Sequence, residues 1–195
     1  MSNVGYNTSV ANQSMNRYTS VTMSHSNTNV SFFHMNIRSI GNKINLLESL
    51  FMSSDINPNV ICITEHWLTS GEEAYCNMTD YRVAVSRSRP TTRRGNSHVS
   101  YGGVLIYLQN NLNFKVLDIL NTYSVVSVCE IVGVKLIDYD ILVLCVYRPP
   151  EHSNFRQFCE IIEQILSILG LENKVCLCGD LNIKFNLPND NDRNQ

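Results

Sequence analysis

Residues 141–146 (Ile-Leu-Val-Leu-Cys-Val) are apolar at every position, and this run limits the possible folds more than any other stretch. A strand with one wet face alternates in polarity, whereas one covered on both faces does not. The run therefore predicts a central strand, stopped by Pro149 and Pro150. Phe155, Phe158, Ile162, Ile165, Leu166 and Leu169 then follow at helical spacing up to Gly170, the mark of an amphipathic helix with a glycine stop. Residues 175–178 return to a strand pattern. The same order occurs earlier. A strand over 30–35 precedes Gly41 and Asn42, then a helical stripe of Ile44, Leu47, Leu50 and Phe51, then Pro58 and a strand over 60–63. Strand–helix–strand crossovers join parallel strands. Within each unit both strands thus end at one sheet edge, where ligand sites form in open α/β structures.

The rest of the chain fills in an α/β domain expected over residues 30–187. Residues 81–85 read as a strand, 86–100 as an Arg/Ser/Thr loop, and 104–108 as a strand opened by Gly102 and Gly103. Residues 125–136 alternate, with Val126, Val128, Val132 and Val134 on one face, as a half-buried strand does. Residues 1–29 are rich in Asn, Ser and Thr with no apolar period, which predicts a disordered tail. Residues 188–195 are polar and read as a second tail.

Composition narrows the class. Hydrophobic residues make up 44% and charged residues 16%, which suits a packed domain. The net charge of −2 means that phosphate contacts must come from a local basic patch. Arg87, Arg89, Arg93 and Arg94 lie in a stretch without acidic residues and form the candidate patch. The seven cysteines contain no C-x-x-C pair, only the C-x-C of Cys176 and Cys178. Zinc cages need more than this, and Cys62, Cys129, Cys145 and Cys176 sit in apolar runs where a thiol acts as a small hydrophobe. The odd cysteine count and the lack of a charged-then-apolar leader point to a reducing, intracellular setting, cytoplasmic or nuclear rather than secreted. The longest apolar stretch is too short to cross a bilayer.

Each of the four strands in the two crossover units ends in a distinctive polar residue. These are Asn36, Glu65, Tyr147, and Asp180 with Asn182. Gathered at one edge, they would bring together two carboxylates, two amides and a phenol. Such an oxygen-rich set suits Mg²⁺, which keeps waters for a phosphate substrate, and it suits phosphodiester hydrolysis. His34 and His66 lack metal-ligand spacing and read as structural. Trp67 reads as packing, and Glu130 as an edge or paired residue within a strand.

The strings Asn36-Ile37-Arg38-Ser39, Thr64-Glu65-His66-Trp67-Leu68, Tyr101-Gly102-Gly103-Val104, Val146-Tyr147-Arg148-Pro149-Pro150 and Gly179-Asp180-Leu181-Asn182 occur in this order. Together they resemble the endonuclease/exonuclease/phosphatase superfamily, and within it the endonuclease domain of non-LTR retrotransposons. The resemblance implies a four-layer α/β/β/α sandwich of two packed mixed sheets, the second incomplete. It implies that Glu65 is the metal ligand with Asn36 beside it, and that Mg²⁺ is the cofactor with Mn²⁺ as a substitute. Tyr147 would donate to the scissile phosphate, Asp180 would orient or deprotonate water, and Asn182 would hold phosphate oxygens. Arg148 is either a phosphate contact or an ion-pair partner. The resemblance also implies further strands leading to a second aspartate and a terminal Ser-Asp-His, and no Ser-Asp-His follows Asn182 before Gln195. The expected function is a Mg²⁺-dependent DNA endonuclease of retrotransposon origin, weak or inactive. The alternatives are a non-catalytic remnant that binds nucleic acid weakly, or a lipid or inositol phosphodiesterase of the same fold. DNA is the expected partner, with no membrane and no small-molecule cofactor.

Overall fold

The computed structural model describes residues 5–11, 18–25, 28–94, 97–170 and 172–183. In chain order the elements are β1 (Gly5–Ala11), β2 (Tyr18–His25), β3 (Thr28–Asn36), α1 (Ile44–Ser53), β4 (Val60–Thr64), β5 (Tyr81–Arg87), β6 (Thr92–Arg94) and β7 (Ser97–Val99). They continue with β8 (Val104–Gln109), β9 (Phe114–Val116), β10 (Glu130–Leu136), β11 (Ile141–Tyr147), α2 (Phe155–Leu169) and β12 (Lys174–Asp180). One sheet has the order β1-β2-β3-β4-β8-β5 and the other β12-β11-β10-β9, with β6 and β7 forming a small ribbon. β3 pairs with β4, and β11 with β12, in parallel; the other sheet pairings are antiparallel.

Three apolar clusters make four layers of this arrangement. Leu47, Leu50 and Phe51 of α1 pack on Phe33, Ile61, Leu105 and Tyr107, the outer face of the first sheet. Phe158, Ile161 and Ile165 of α2 pack on Ile131, Leu144 and Val146, the outer face of the second. Between the sheets, Phe32, Val60, Cys62 and Ile106 meet Val132, Val134, Val143 and Cys145. Alternate residues of β11 thus serve two cores, Val143 and Cys145 inward and Leu144 and Val146 outward. This double burial explains why the run from Ile141 has no polar position.

Three expectations need correction. Residues 5–11 and 18–25, assigned by composition to a disordered tail, are strands in the first sheet. β2 gains its place through a few contacts that a polar composition hides. Tyr18 is buried and stacks on Phe33 with ring centroids 5.2 Å apart, while Met23 packs toward the inter-sheet core. The strand expected to begin at residue 125 begins at Glu130, because residues 125–129 turn back on themselves. The Val125 and Cys129 backbones bond to each other at 2.8 and 2.9 Å, Ser127 takes φ +62°, and Val126 points to solvent. The expected loop over 86–100 contains β6 and β7. Residues 188–195 lie outside the described residues. Among the described residues, no helix is long and apolar enough to cross a membrane.

Ile165 is fully buried against the outer face of the second sheet. Ile165→Ala is expected to lower unfolding stability by about 2–5 kcal/mol, read as a shifted urea midpoint with an unchanged slope. Leu166→Ala, on the more exposed side of the same helix, is expected to cost less than Ile165→Ala.

Candidate active site

The register of the two parallel pairs sets the site. Asn36 lies beside Thr64 at the ends of β3 and β4, and Glu65 is the next residue. Tyr147 lies beside Asp180 at the ends of β11 and β12. The sheets face each other, so these four side chains converge at one edge of the sandwich. The Asn36 Nδ2 donates to Glu65 Oε1 at 2.8 Å and to Asp180 Oδ2 at 2.7 Å. An amide nitrogen carries two hydrogens, so this one amide links a carboxylate of the first sheet to a carboxylate of the second. Tyr147 is 6% exposed. Burial first, then the charge of Glu65 and a hydrogen bond with it, raise its phenol above the ordinary value. The hydroxyl therefore stays protonated at neutral pH and can donate.

Glu65 takes φ +54°, a left-handed conformation that costs a non-glycine residue of order 1–3 kcal/mol. The backbone on both sides holds it there. Ser39 N–H donates to the Glu65 carbonyl at 2.9 Å, Ile40 N–H to that of His66 at 3.0 Å, and Trp67 N–H to that of Gly102 at 2.9 Å. Residues 65–67 are thus stitched between the loop after β3 and the Gly102–Gly103 entry to β8. Gly103 sits at φ +86°, and a Cβ there would lie 2.4 Å from the His66 ring, so both glycines of this string are needed for close approach. His66 is fully buried; its Nδ1 accepts from Leu68 N–H at 3.0 Å, and its Nε2 bonds the Arg87 carbonyl at 3.0 Å. A carbonyl can only accept, which puts the ring proton on Nε2. Burial lowers the pKa of both His66 and His34. His34 Nε2 lies 3.3 Å from Thr64 Oγ1, so both rings have partners within the protein.

The structure gives other residues more local roles. Asn182 stands next to Asp180, donating its N–H to Asp180 Oδ1 at 3.1 Å, but one hydrogen of its amide goes to the Arg148 carbonyl at 2.7 Å. Among the described residues, Arg148 bonds backbone carbonyls rather than a carboxylate through its guanidinium. It is 2% exposed, donates to the carbonyls of Leu181, Asn182 and Glu151 at 2.7, 2.6 and 3.2 Å, and lies over the rings of Phe155 and Phe158. A guanidinium has five donors in a rigid fork, and here the fork fastens the Asp180-Leu181-Asn182 turn to the start of α2.

The expected basic patch is smaller than the sequence suggests. Arg89 is ion-paired with the buried Glu130, which also accepts Gly103 N–H at 2.5 Å. Glu130 is thus a paired residue, and Arg89 is withdrawn from phosphate contact. Arg87 is bonded to Asn121 Oδ1 at 2.6 Å at the surface. The side chains of Arg93 and Arg94 lie outside the described residues. Sequence reasoning gave Arg38 no role, yet its largely exposed side chain reaches within 4.0 Å of Glu65 Oε2. Its place two residues past Asn36 was the available signal. Trp67 packs edge-to-face on Tyr101 at 4.9 Å.

This architecture is the endonuclease/exonuclease/phosphatase fold. Two solved structures similar to it are the endonuclease domain of TRAS1, a telomere-specific non-LTR retrotransposon, and the human Nocturnin catalytic domain with bound sulfate anion. The first has a TM-score of 0.50 and 15% identity, covering 79% of this chain and 61% of that one. The second has a TM-score of 0.50 and 14% identity, covering 80% of this chain and 64% of that one. The chain therefore matches less than two thirds of the length of either. No family model matches the sequence, and no curated protein does.

Replacing Arg148 by Met keeps the stem over the two phenylalanines and leaves three carbonyls without their donor. Bonds to charged groups contribute about 1.5–3 kcal/mol each, so unfolding stability is expected to fall by about 3 kcal/mol or more. Arg87→Ala at the surface is expected to stay within about 1 kcal/mol of the parent chain. Comparable losses in the two variants, read by urea unfolding, would contradict the role given to Arg148.

Proposed function

We propose that the chain is a Mg²⁺-dependent phosphodiester hydrolase acting on DNA, an endonuclease domain of retrotransposon origin. The observation that supports this best is the single Asn36 amide holding the Glu65 and Asp180 carboxylates together beside a protonated tyrosine. The donor set fits a hard cation. Every group that could face it offers oxygen, and Mg²⁺ binds through one or two carboxylates while keeping several waters. Among the described residues, no three His, Cys, Asp or Glu side chains form a metal cage, so Glu65 would carry the ion with Asn36 ordering its water shell. When bound there, Mg²⁺, or Mn²⁺ in its place, would neutralise phosphate charge.

The protein's own groups supply the remaining chemistry. Tyr147, kept protonated, donates a hydrogen bond to a non-bridging phosphate oxygen and gains strength as charge builds there. Asp180, steadied by Asn36 and by the Asn182 N–H, accepts a hydrogen bond from the attacking water and takes its proton. Arg38 is an exposed cation beside Glu65 and would meet the phosphate next to the scissile one. A second reading, a non-catalytic remnant with weak DNA affinity, has a specific observation in its favour. Asn182 and Arg89 are committed to internal partners, which leaves less of the surface for phosphate.

Nicking of supercoiled plasmid in Mg²⁺ tests the reading. Glu65→Ala is expected to reduce the nicking rate by about 10²–10³ without changing the free energy of unfolding by more than about 1 kcal/mol. Nicking equal in the variant and the parent would remove Glu65 from the site. DNA retention without any nicking by the parent would favour the remnant. Hydrolysis of inositol lipid head-groups without nicking would reassign the substrate.

A further inference from the structure

Four thiols from three strands gather between the sheets, close below the carboxylates. Cys62 of β4 lies within hydrogen-bonding reach of Cys145 of β11 and of Cys178 of β12. The Sγ atoms of Cys176 and Cys178 are 3.7 Å apart. Residues two apart in a strand share a face, so these two sulfurs point the same way. Packing alone would account for Cys62 and Cys145, which are fully buried. Cys176 and Cys178 differ from them in two respects. Both are partly exposed, and both line a cavity of about 360 Å³ bordered by Val21, Met23 and His34, large enough to admit a small oxidant. Among the described residues β12 pairs only with β11, so one flank of this strand is free to deform.

We propose that Cys176 and Cys178 form a peroxide-oxidised pair, and that closing their disulfide deforms β12 and draws Asp180 away from Asn36. Hydrogen bonds from Cys176 and Cys62 favour the thiolate of Cys178, while Cys176 is correspondingly held in its thiol form. The Cys178 thiolate attacks one peroxide oxygen and the O–O bond breaks. The attacked OH stays on sulfur as a sulfenic acid, and the departing hydroxide takes up the proton that Cys178 released and leaves as water. The Cys176 sulfur then attacks the sulfenic sulfur. The S–S bond forms, the S–O bond breaks, and the oxygen leaves as a second water with the Cys176 proton. Two thiols and one hydrogen peroxide become one disulfide and two waters; the sulfurs are oxidised and the peroxide oxygens reduced.

The mechanical consequence follows from the register. Bonded sulfurs lie about 2.05 Å apart, so the pair must close from 3.7 Å and pucker the strand between them. Cys178, Gly179 and Asp180 are in register with Cys145, Val146 and Tyr147. Gly179 lies so close to the Val146 carbonyl that a Cβ there would overlap it, so a bend cannot move the strand toward β11 and is carried along it. The displacement therefore passes to Asp180, two residues beyond Cys178. The loss of nicking rests on the nuclease reading above, while the chemistry of the pair does not.

The test treats the full chain with hydrogen peroxide and compares it with Cys178→Ser and with Cys159→Ser, which alters an exposed thiol elsewhere. The tryptic peptide holding Cys176 and Cys178 is expected to lose the mass of two hydrogens and to regain it with dithiothreitol. Cys159→Ser should behave like the parent and Cys178→Ser should not. Oxidation is expected to speed amide exchange at Gly179 and Asp180 and to cut nicking at least tenfold, both reversibly. A peptide that stays reduced, or that gains only irreversible oxygen adducts, overturns the pair. A disulfide that leaves exchange at Asp180 unchanged overturns the switch. Faster exchange in a chain whose reduced form never nicks DNA supports the switch and rejects the nuclease reading alone.

Discussion

The bridge from the Asn36 amide to the carboxylates of Glu65 and Asp180 is the contact on which the site depends. It links the two sheets at their strand ends, beside an inter-sheet core of hydrocarbon and sulfur. Two like charges at one edge repel, and an amide donor between them offsets part of that cost. The surrounding framework keeps the three residues in place. The strained Glu65 backbone is stitched on both sides, Gly103 lets the first sheet close over His66, and Arg148 clamps the turn that carries Asp180 and Asn182.

Two kinds of burial divide the work. Apolar packing on three levels fixes the sheets and helices, and its signature in β11 is a strand without a polar position. Three buried polar groups near the site each have partners that explain them. Glu130 has Arg89 and Gly103, His66 has Leu68 and Arg87, and Arg148 has three carbonyls. A buried charge costs several kcal/mol unless its hydrogen bonds are met, and each of these stands within one layer of the strand ends. The stability of the sandwich and the geometry of the site are thus joined at the same residues.

Features governed by local periodicity could be read from the sequence. The double-faced run at 141–146, the stripe of α2, the two crossover units and the polar residues at their strand ends all follow from spacing that a single segment displays. Features governed by distant partners could not. β2 is polar on paper and becomes a strand because Tyr18 finds Phe33. Val125 to Cys129 alternates like a strand, yet it reverses through a backbone bond that no side chain announces. Arg148 and Arg89 look like phosphate ligands, and only the fold shows which carbonyls and which carboxylate claim them. Cys62 and Cys178 are far apart in sequence and meet only once the sheets are stacked.

The central claim, that the strand ends form one pocket for a cation and a phosphate, is tested most directly by anomalous scattering from crystals soaked in Mn²⁺. The account predicts a single peak within roughly 2.3 Å of a Glu65 carboxylate oxygen, lying between the ends of β4 and β12 and lost in Glu65→Ala. A peak coordinated by other residues, or none at a concentration that supports nicking, would contradict it.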